Sequence, residues 1–146
     1  MSKTKFVAFA AIAAATCATA AVAQDRPYSE GPVVNVAFIR TVDGKFDEYM
    51  AWVASTWKKQ EEAAKKAGYI IGYEVLTVEP RSENDPDVVL RITYKNWAAL
   101  DGQLDKGDAI SKEIEGSVAN ANKAQVERSR IRRVLGSQTM QVLTLK

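Results

Sequence analysis

The chain has 146 residues, of which 47% are hydrophobic and 26% are charged, and its formal net charge is +2. This length suits a single domain with its own hydrophobic core. The sequence contains no histidine, which excludes histidine general bases, histidine metal ligands and histidine-ligated haem.

The N-terminal residues carry the pattern of a cleaved secretory signal. Lys3 and Lys5 precede an alanine-rich apolar run, and Ala21-Val22-Ala23 supplies small residues for cleavage. We therefore predict a signal peptide at 1–23, an exposed leader at 24–32 and a single α+β domain at 33–146, periplasmic or secreted. The run falls short of the ~20 strongly apolar residues of a membrane span, so we expect no stable membrane anchor. A retained anchor and a lipid-modified Cys17 are the two alternatives.

Cleavage would change both the charge and the cysteine content. Without Lys3 and Lys5 the number of basic residues falls from 20 to that of the 18 acidic ones. A neutral domain argues against a nucleic-acid partner. Cys17 would leave as well, which excludes a disulfide framework and a thiolate metal site. Because phosphate loops, dinucleotide fingerprints and nucleophile elbows are also absent from the sequence, we predict no metal and no cofactor.

The first half of the domain is predicted to be a strand followed by a helix. Residues 33–40 are apolar and rich in β-branched side chains, as in strands. Asp43 is a candidate cap for a helix starting near residue 45, and Gly68 suits the position just after its end. One face of this helix repeats apolar residues at helical spacing; its members are Phe46, Met50, Val53 and Trp57.

The second half is predicted to hold three strands and a long helical region. The strands cover 69–79, 87–95 and 137–145, and a proline-bounded hairpin loop joins the first two. Asn96 is a candidate N-cap for a helix carrying Trp97, Leu100 and Leu104 on one side. We expect Lys106-Gly107-Asp108 to interrupt this helix. A second helical stretch is predicted at 108–135, with Gly136 closing it.

The element order β-α-β-β-α-β predicts a ferredoxin-like antiparallel sheet, here with an enlarged second helical region. Four polar residues lie in the middle of strands: Asn35, Glu74, Arg91 and Gln141. One strand register would gather them on one sheet face beside several apolar side chains. A half-apolar open face is most simply covered by a second copy of itself, which predicts a symmetric homodimer.

In its element order, the chain resembles the dimeric α/β-barrel superfamily, which includes the antibiotic-biosynthesis monooxygenase-like domains. The similarity in element order covers 33–104 and 137–145, and its most specific segment is Tyr94-Lys95-Asn96-Trp97-Ala98-Ala99-Leu100. The resemblance implies a ferredoxin-like fold that pairs into a barrel. Many members of the superfamily have a histidine at the position of Gln103, so histidine-dependent activities of the superfamily are not implied here.

The candidate ligand-pocket residues are Asn35, Trp52, Tyr73, Glu74, Arg91 and Gln141. We expect Glu74 and Arg91 to form an ion pair. Trp57 and Trp97 are expected in the core, whereas Trp52 lies off the apolar face and is free to flank a pocket. Arg128, Arg130, Arg132 and Arg133 form a basic cluster. This cluster either stabilises a helix C-terminus or contacts an anionic surface.

Three functions remain open from the sequence. The leading hypothesis is a domain that binds a small, partly apolar or aromatic ligand between sheet and helices, and a pocket beside Trp52 would favour it. The second is a cofactor-independent, monooxygenase-like or isomerase-like enzyme acting on a small aromatic or quinol-type substrate, with Asn35, Tyr73 and Arg91 at its site. The third is a non-catalytic interaction protein that uses the basic cluster.

Overall fold

A computed structural model describes residues 25–146; the predicted signal peptide lies outside this range. The strands are β1 (Tyr28–Thr41), β2 (Gly72–Thr77), β3 (Val88–Tyr94) and β4 (Arg132–Leu145). The helices are α1 (Phe46–Trp52), α2 (Lys58–Lys66), α3 (Gln103–Glu115) and α4 (Val118–Arg128). A π-helical turn (Val53–Trp57) joins α1 to α2, and a 3₁₀ turn (Trp97–Leu100) precedes α3.

The four strands form one antiparallel sheet in the order β2-β3-β1-β4. With one helical region between β1 and β2 and another between β3 and β4, this is the ferredoxin-like arrangement. The predicted fold class is therefore confirmed, including the enlarged second helical region. Within residues 25–146, none of the helices has both the length and the apolar character that crossing a membrane requires.

The predicted exposed leader is wrong for residues 28–32, because β1 already begins at Tyr28. Residues 28–30 pair with the last residues of β4, and the register shifts between Glu30 and Val33. Gly31 and Pro32 lie at this irregularity. Glycine and proline disfavour regular strands but are tolerated at bulges. The strand therefore continues through Gly31 and Pro32.

The first helical region keeps a buried face over its whole length by means of the π-helical turn. Tyr49, Val53, Trp57 and Glu61 are all buried, one at every fourth position. An α-helix has 3.6 residues per turn, so this spacing would drift steadily around a regular helix. The wider turn at Val53–Trp57, in which the Lys58 N–H donates to the Val53 carbonyl, offsets the drift. It thereby carries Glu61 to the side that faces the sheet.

The ends of this helical region differ in how well they were predicted. Gly68, at φ 75°, takes the left-handed conformation after the helix. Its N–H donates to the Lys65 carbonyl and the Tyr69 N–H to the Ala64 carbonyl, which is the pattern of a Schellman motif. The predicted cap at Asp43 is wrong: Lys45 precedes α1 and no side chain caps it.

In the second helical region the breaks fall at other glycines than predicted. Asn96 is confirmed as an N-cap, since its Oδ1 accepts from the Ala99 N–H. The chain then turns at Gly102 and again at Gly116, both left-handed, whereas Gly107 lies within α3. A glycine inside a helix costs only about 1 kcal/mol, which a helix of this length tolerates. The predicted interruption at 106–108 is therefore wrong.

The long helix predicted over 108–135 is also wrong at its end, because β4 already begins at Arg132. Arg132 pairs with Thr41 and Arg133 with Arg40, and the register shifts near Gly136. Gly136 has φ 155°, a conformation that other residues rarely adopt. Ile131 and Leu135 are spaced as on a helix, but pairing with β1 makes residues 132–135 part of a strand.

The two faces of the sheet have different neighbours. We call the side that packs against the helices the helix face; Ile39, Val88 and Leu90 lie on it and form a core with Tyr49 and Trp57. We call the other side the open face. Among the described residues, its hydrophobic cluster consists of strand residues alone: Val34, Val36 and Val89, with Phe38 beside them.

Candidate functional site

The strand registers divide the predicted pocket residues between the two faces. Glu74 and Arg91 pair across β2 and β3 and lie on the open face, level with Val36. Their ion pair is confirmed, with 2.7 Å between Arg91 Nη1 and Glu74 Oε2. Asn35 and Gln141 lie on the helix face instead. The register that would gather all four on one face is therefore wrong, since Asn35 pairs with Ile92 and not with Arg91.

Asn35 and Gln141 are occupied by contacts within the sheet and its flank. Asn35 Nδ2 donates to Thr139 Oγ1 at 2.9 Å, and Gln141 Oε1 accepts from Trp97 Nε1 at 3.1 Å. Trp97 is 49% exposed, so its expected place in the core is wrong. Its helix begins as a 3₁₀ turn that leaves the indole on the protein surface.

Tyr73 and Trp57 pack together on the helix face. Trp57 is buried, as predicted, and the Tyr73 ring meets it edge-on with 5.3 Å between ring centroids. The Tyr73 hydroxyl donates to the Glu62 carboxylate, and this bond raises the pKa of Tyr73 to about 12. A tyrosine held in its neutral form in this way is a structural contact rather than an acid or a base near pH 7.

A cavity of about 340 Å³ lies between the helix face of the sheet, α1 and α4. Its apolar wall includes Ala37, Ile39 and Leu90. The lining also includes two aromatic and two basic residues, which we call the arginine–aromatic cluster: Tyr49, Trp52, Arg128 and Arg132. Of the predicted pocket residues, Trp52 is the one that lines this cavity.

The arginine–aromatic cluster is held together by stacking. The Tyr49 and Trp52 rings stack with 5.6 Å between centroids. The guanidinium carbon of Arg128 lies 4.3 Å from the Trp52 ring centroid, and that of Arg132 lies 5.8 Å from the same centroid. Both distances are within the range of a cation–π contact. Trp52 therefore positions both cations beside the cavity.

Each member of the arginine–aromatic cluster has a buried hydrogen-bonding atom without a protein partner. Among the described residues, the Tyr49 hydroxyl, Trp52 Nε1 and the Nε atoms of Arg128 and Arg132 are in this state. Buried polar groups in native proteins are nearly always paired with protein, water or ligand. All four atoms can donate a hydrogen bond, and all four are buried within the packing of the cluster rather than exposed to the cavity.

The two arginines of the arginine–aromatic cluster also lack a salt-bridge partner among the described residues. Burial lowers the pKa of Arg128, and the neighbouring Arg132 charge lowers it further. Within residues 25–146, neither arginine has a carboxylate within 4.0 Å. The nearby Glu115 carboxylate accepts instead from Gln60 Nε2, at 2.5 Å. Glu61 and Glu115 line the cavity together with the two arginines, so its wall carries ionisable groups of both signs.

A second cavity of about 230 Å³ adjoins the first, because Gln60, Glu61 and Ser111 line both. Glu61 is 8% exposed, and burial raises the pKa of its carboxyl to about 7. The nearest basic group on this wall, Lys106 Nζ, donates to the Ala99 carbonyl at 2.8 Å. Glu61 is thus a carboxyl without a salt bridge that faces a cavity.

The predicted basic cluster is not one surface. Arg128 ends α4 and Arg132 begins β4, and both line the cavity of about 340 Å³. Arg130 and Arg133 are exposed, and Arg133 Nη2 donates to the Glu83 carbonyl. The four arginines come from a helix end, a turn and a strand, so sequence proximity did not place them on one face.

Sequence reasoning missed Tyr49 and Glu61. Both belong to the row of buried residues that recurs at every fourth position in the first helical region. The predicted stripe began instead at Phe46, which is exposed. The recurring spacing of four would have found Tyr49 and Glu61, had the wider π-helical turn been anticipated.

No protein-family model matches the chain, and no curated protein matches it significantly. Among solved structures, HapK from Hahella chejuensis is similar in fold, with a TM-score of 0.52 and 14% identity over 78% of this chain and 95% of that one. A dimeric ferredoxin-like protein from an uncultured marine organism has a TM-score of 0.46 and 16% identity over 83% of this chain and 98% of that one. The likeness to HapK and the strand order of the sheet agree with the ferredoxin-like fold predicted from the element order.

Proposed function

We propose that this chain is an exported, homodimeric domain that binds a small, partly apolar ligand in the cavity between the helix face of the sheet and α4. The observation that carries the proposal is the arginine–aromatic cluster. It lines a cavity of about 340 Å³ with two arginines that lack a salt-bridge partner among the described residues.

The composition of the cavity supports a small organic ligand. Small-molecule sites are typically apolar cavities of ≈ 300–1,000 Å³ with a few convergent polar groups. Here Ala37, Ile39 and Leu90 supply the apolar wall, and the arginine–aromatic cluster supplies the polar groups.

The open face supports the homodimer. Leu76, Met140 and Val142 are exposed on it around the buried Val34, Val36 and Val89. Contiguous apolar patches on a sheet face mark interaction surfaces. In a two-fold arrangement each copy would cover the same patch on the other, and the Glu74–Arg91 pair on this face would contribute matching charges of both signs.

The geometry does not gather the residues predicted for the enzyme alternative. Asn35 and Tyr73 lie on the helix face, and Arg91 lies on the open face. A substrate in one cavity could not reach all three. Ligand binding is therefore the function that the described residues support best.

Tryptophan fluorescence tests the ligand-binding proposal with 2-naphthoate and 2-naphthamide as probes. A saturable change is expected for the wild-type protein with at least one probe. Trp52→Phe should reduce that change, because Trp52 lines the cavity, as Trp57 does. Trp97→Phe is the matched control and should keep it, since the Trp97 indole is exposed elsewhere. Absence of saturable binding by both probes would contradict the proposal.

Export is supported by the basic start, apolar run and small-residue cleavage site in residues 1–23. Expression of the full chain in a Gram-negative host, followed by fractionation and N-terminal sequencing, tests it. We expect a periplasmic protein that begins at Gln24. A full-length protein that remains in the cytoplasm would contradict export and leave the ligand proposal standing.

A further inference from the structure

We infer that the ligand is a small aromatic carboxylate whose carboxylate group lies against Arg128 and Arg132. This inference rests on the proposed function and adds the chemical class of the ligand.

The first argument is the repulsion between the two arginines. Their guanidinium carbons lie 4.3 Å and 5.8 Å from the centroid of the same indole, that of Trp52. The Arg132 charge lowers the pKa of Arg128, so the two like charges repel each other and raise the free energy of the folded chain. An anion held between them would reverse the sign of this interaction.

The second argument is that the described chain supplies no such anion. No carboxylate lies within salt-bridge distance of either arginine in residues 25–146. The Glu115 carboxylate, which raises the pKa of Arg128 from a distance, accepts a hydrogen bond from Gln60. Neither arginine therefore has a direct carboxylate partner among the described residues, and an external carboxylate would supply one.

The third argument concerns the shape of the ligand. An arginine presents a planar fork of N–H groups that matches a carboxylate. Ala37, Ile39 and Leu90 supply apolar lining to the same cavity, which suits a flat hydrocarbon ring. Because the cavity lies between sheet and helices, a small acid can enter it whereas an extended anionic surface cannot.

Paired probes of equal shape test the inference, namely 2-naphthoate and its neutral amide, measured by isothermal titration calorimetry. We expect the acid to bind at least about tenfold more tightly, which corresponds to ~1.4 kcal/mol. Arg128→Gln and Arg132→Gln should each lower the affinity for the acid to near that for the amide. Neither should change the affinity for the amide. Arg133→Gln is the matched control, since its side chain lies on the other side of β4 and contacts Glu83.

The outcomes separate this inference from the proposed function. Equal affinity for acid and amide in the wild-type protein would overturn the inference and leave ligand binding intact. Loss of acid binding in Arg133→Gln to the same extent as in Arg132→Gln would also overturn it, because the effect would then follow overall charge. Should Arg128→Gln fail to fold, Arg132→Gln and a selective weakening of acid binding by added salt provide the test. Absence of binding by both probes would contradict the proposed function itself.

Discussion

The guanidinium of Arg128 stacks on the indole of Trp52, with 4.3 Å between the guanidinium carbon and the ring centroid. This contact joins the end of α4 to α1 at the edge of the cavity of about 340 Å³. It also holds a positive charge next to that of Arg132 without a carboxylate partner in the described chain. A purely structural contact would be expected to avoid this second charge.

Arg128→Gln is expected to change the free energy of unfolding by less than about 1 kcal/mol. The stacking on Trp52 contributes about 1 kcal/mol, and the removal of a charge beside Arg132 acts in the opposite direction. Urea unfolding followed by circular dichroism measures the change. A loss of more than about 3 kcal/mol would show that Arg128 holds the fold together, which would contradict its assignment to the ligand site.

Glu61→Gln is expected to stabilise the protein at pH 8 and to have little effect at pH 4. Burial raises the pKa of Glu61 from 4.5 to about 7, so the folded state holds this proton more tightly than the unfolded state. The penalty for ionising Glu61 is therefore absent below pH 4.5, grows between pH 4.5 and 7, and reaches about 3 kcal/mol above that range.

Chemical unfolding across this pH range, with Glu113→Gln as an exposed control, checks the Glu61 prediction. The difference in stability between wild type and Glu61→Gln should emerge between pH 4.5 and 7, the window set by the ordinary and raised pKa values. A difference that stays constant from pH 4 to pH 8 would show that Glu61 ionises normally in the folded protein.

Asp87→Ala is expected to destabilise the protein by about 2 kcal/mol. Asp87 Oδ1 accepts from the N–H of the buried Thr41 at 2.9 Å, and its other oxygen accepts from the Thr41 hydroxyl. The substitution would leave these two groups without their partner. Thermal unfolding measures the loss, and Asp25→Ala, which breaks an exposed ion pair with Lys146, should change stability by much less.

Met140→Lys is expected to convert the homodimer into a folded monomer. Met140 is 42% exposed on the open face, so a lysine there fits the single chain but places two like charges in a two-fold interface. Size-exclusion chromatography with light scattering measures the mass. Leu104→Lys, at an 87% exposed position on α3, should remain dimeric. A wild-type protein that is monomeric at all concentrations would refute the proposed dimer.

The element order was predictable because its signals are local. Apolar β-branched runs, the Asn96 cap and the glycine at the end of α2 each act within a few residues. The ends of β1 and β4 were not predictable in this way. They depend on pairing between residues that lie more than ninety positions apart, such as Thr41 with Arg132.

The candidate site was predicted in part. Trp52 was identified because it lies off the apolar stripe of its helix, and Arg128 and Arg132 were noticed as part of a basic cluster. The contact between them was not predictable, since Trp52 comes from the first helical region, Arg128 from the end of α4 and Arg132 from the start of β4. Asn35 and Arg91 were grouped wrongly because a shift of one residue in register moves a side chain to the other face of a sheet.

The most direct test of ligand binding in this cavity is the indole N–H signal of Trp52 in a proton–nitrogen NMR spectrum during titration with 2-naphthoate. The three tryptophan signals can be assigned from single Trp→Phe variants. We expect the Trp52 signal to shift saturably, because Trp52 lines the cavity, while the signal of Trp97, bonded to Gln141, stays in place. An unmoved Trp52 signal at saturating probe, or a shift confined to Trp97, would contradict the account.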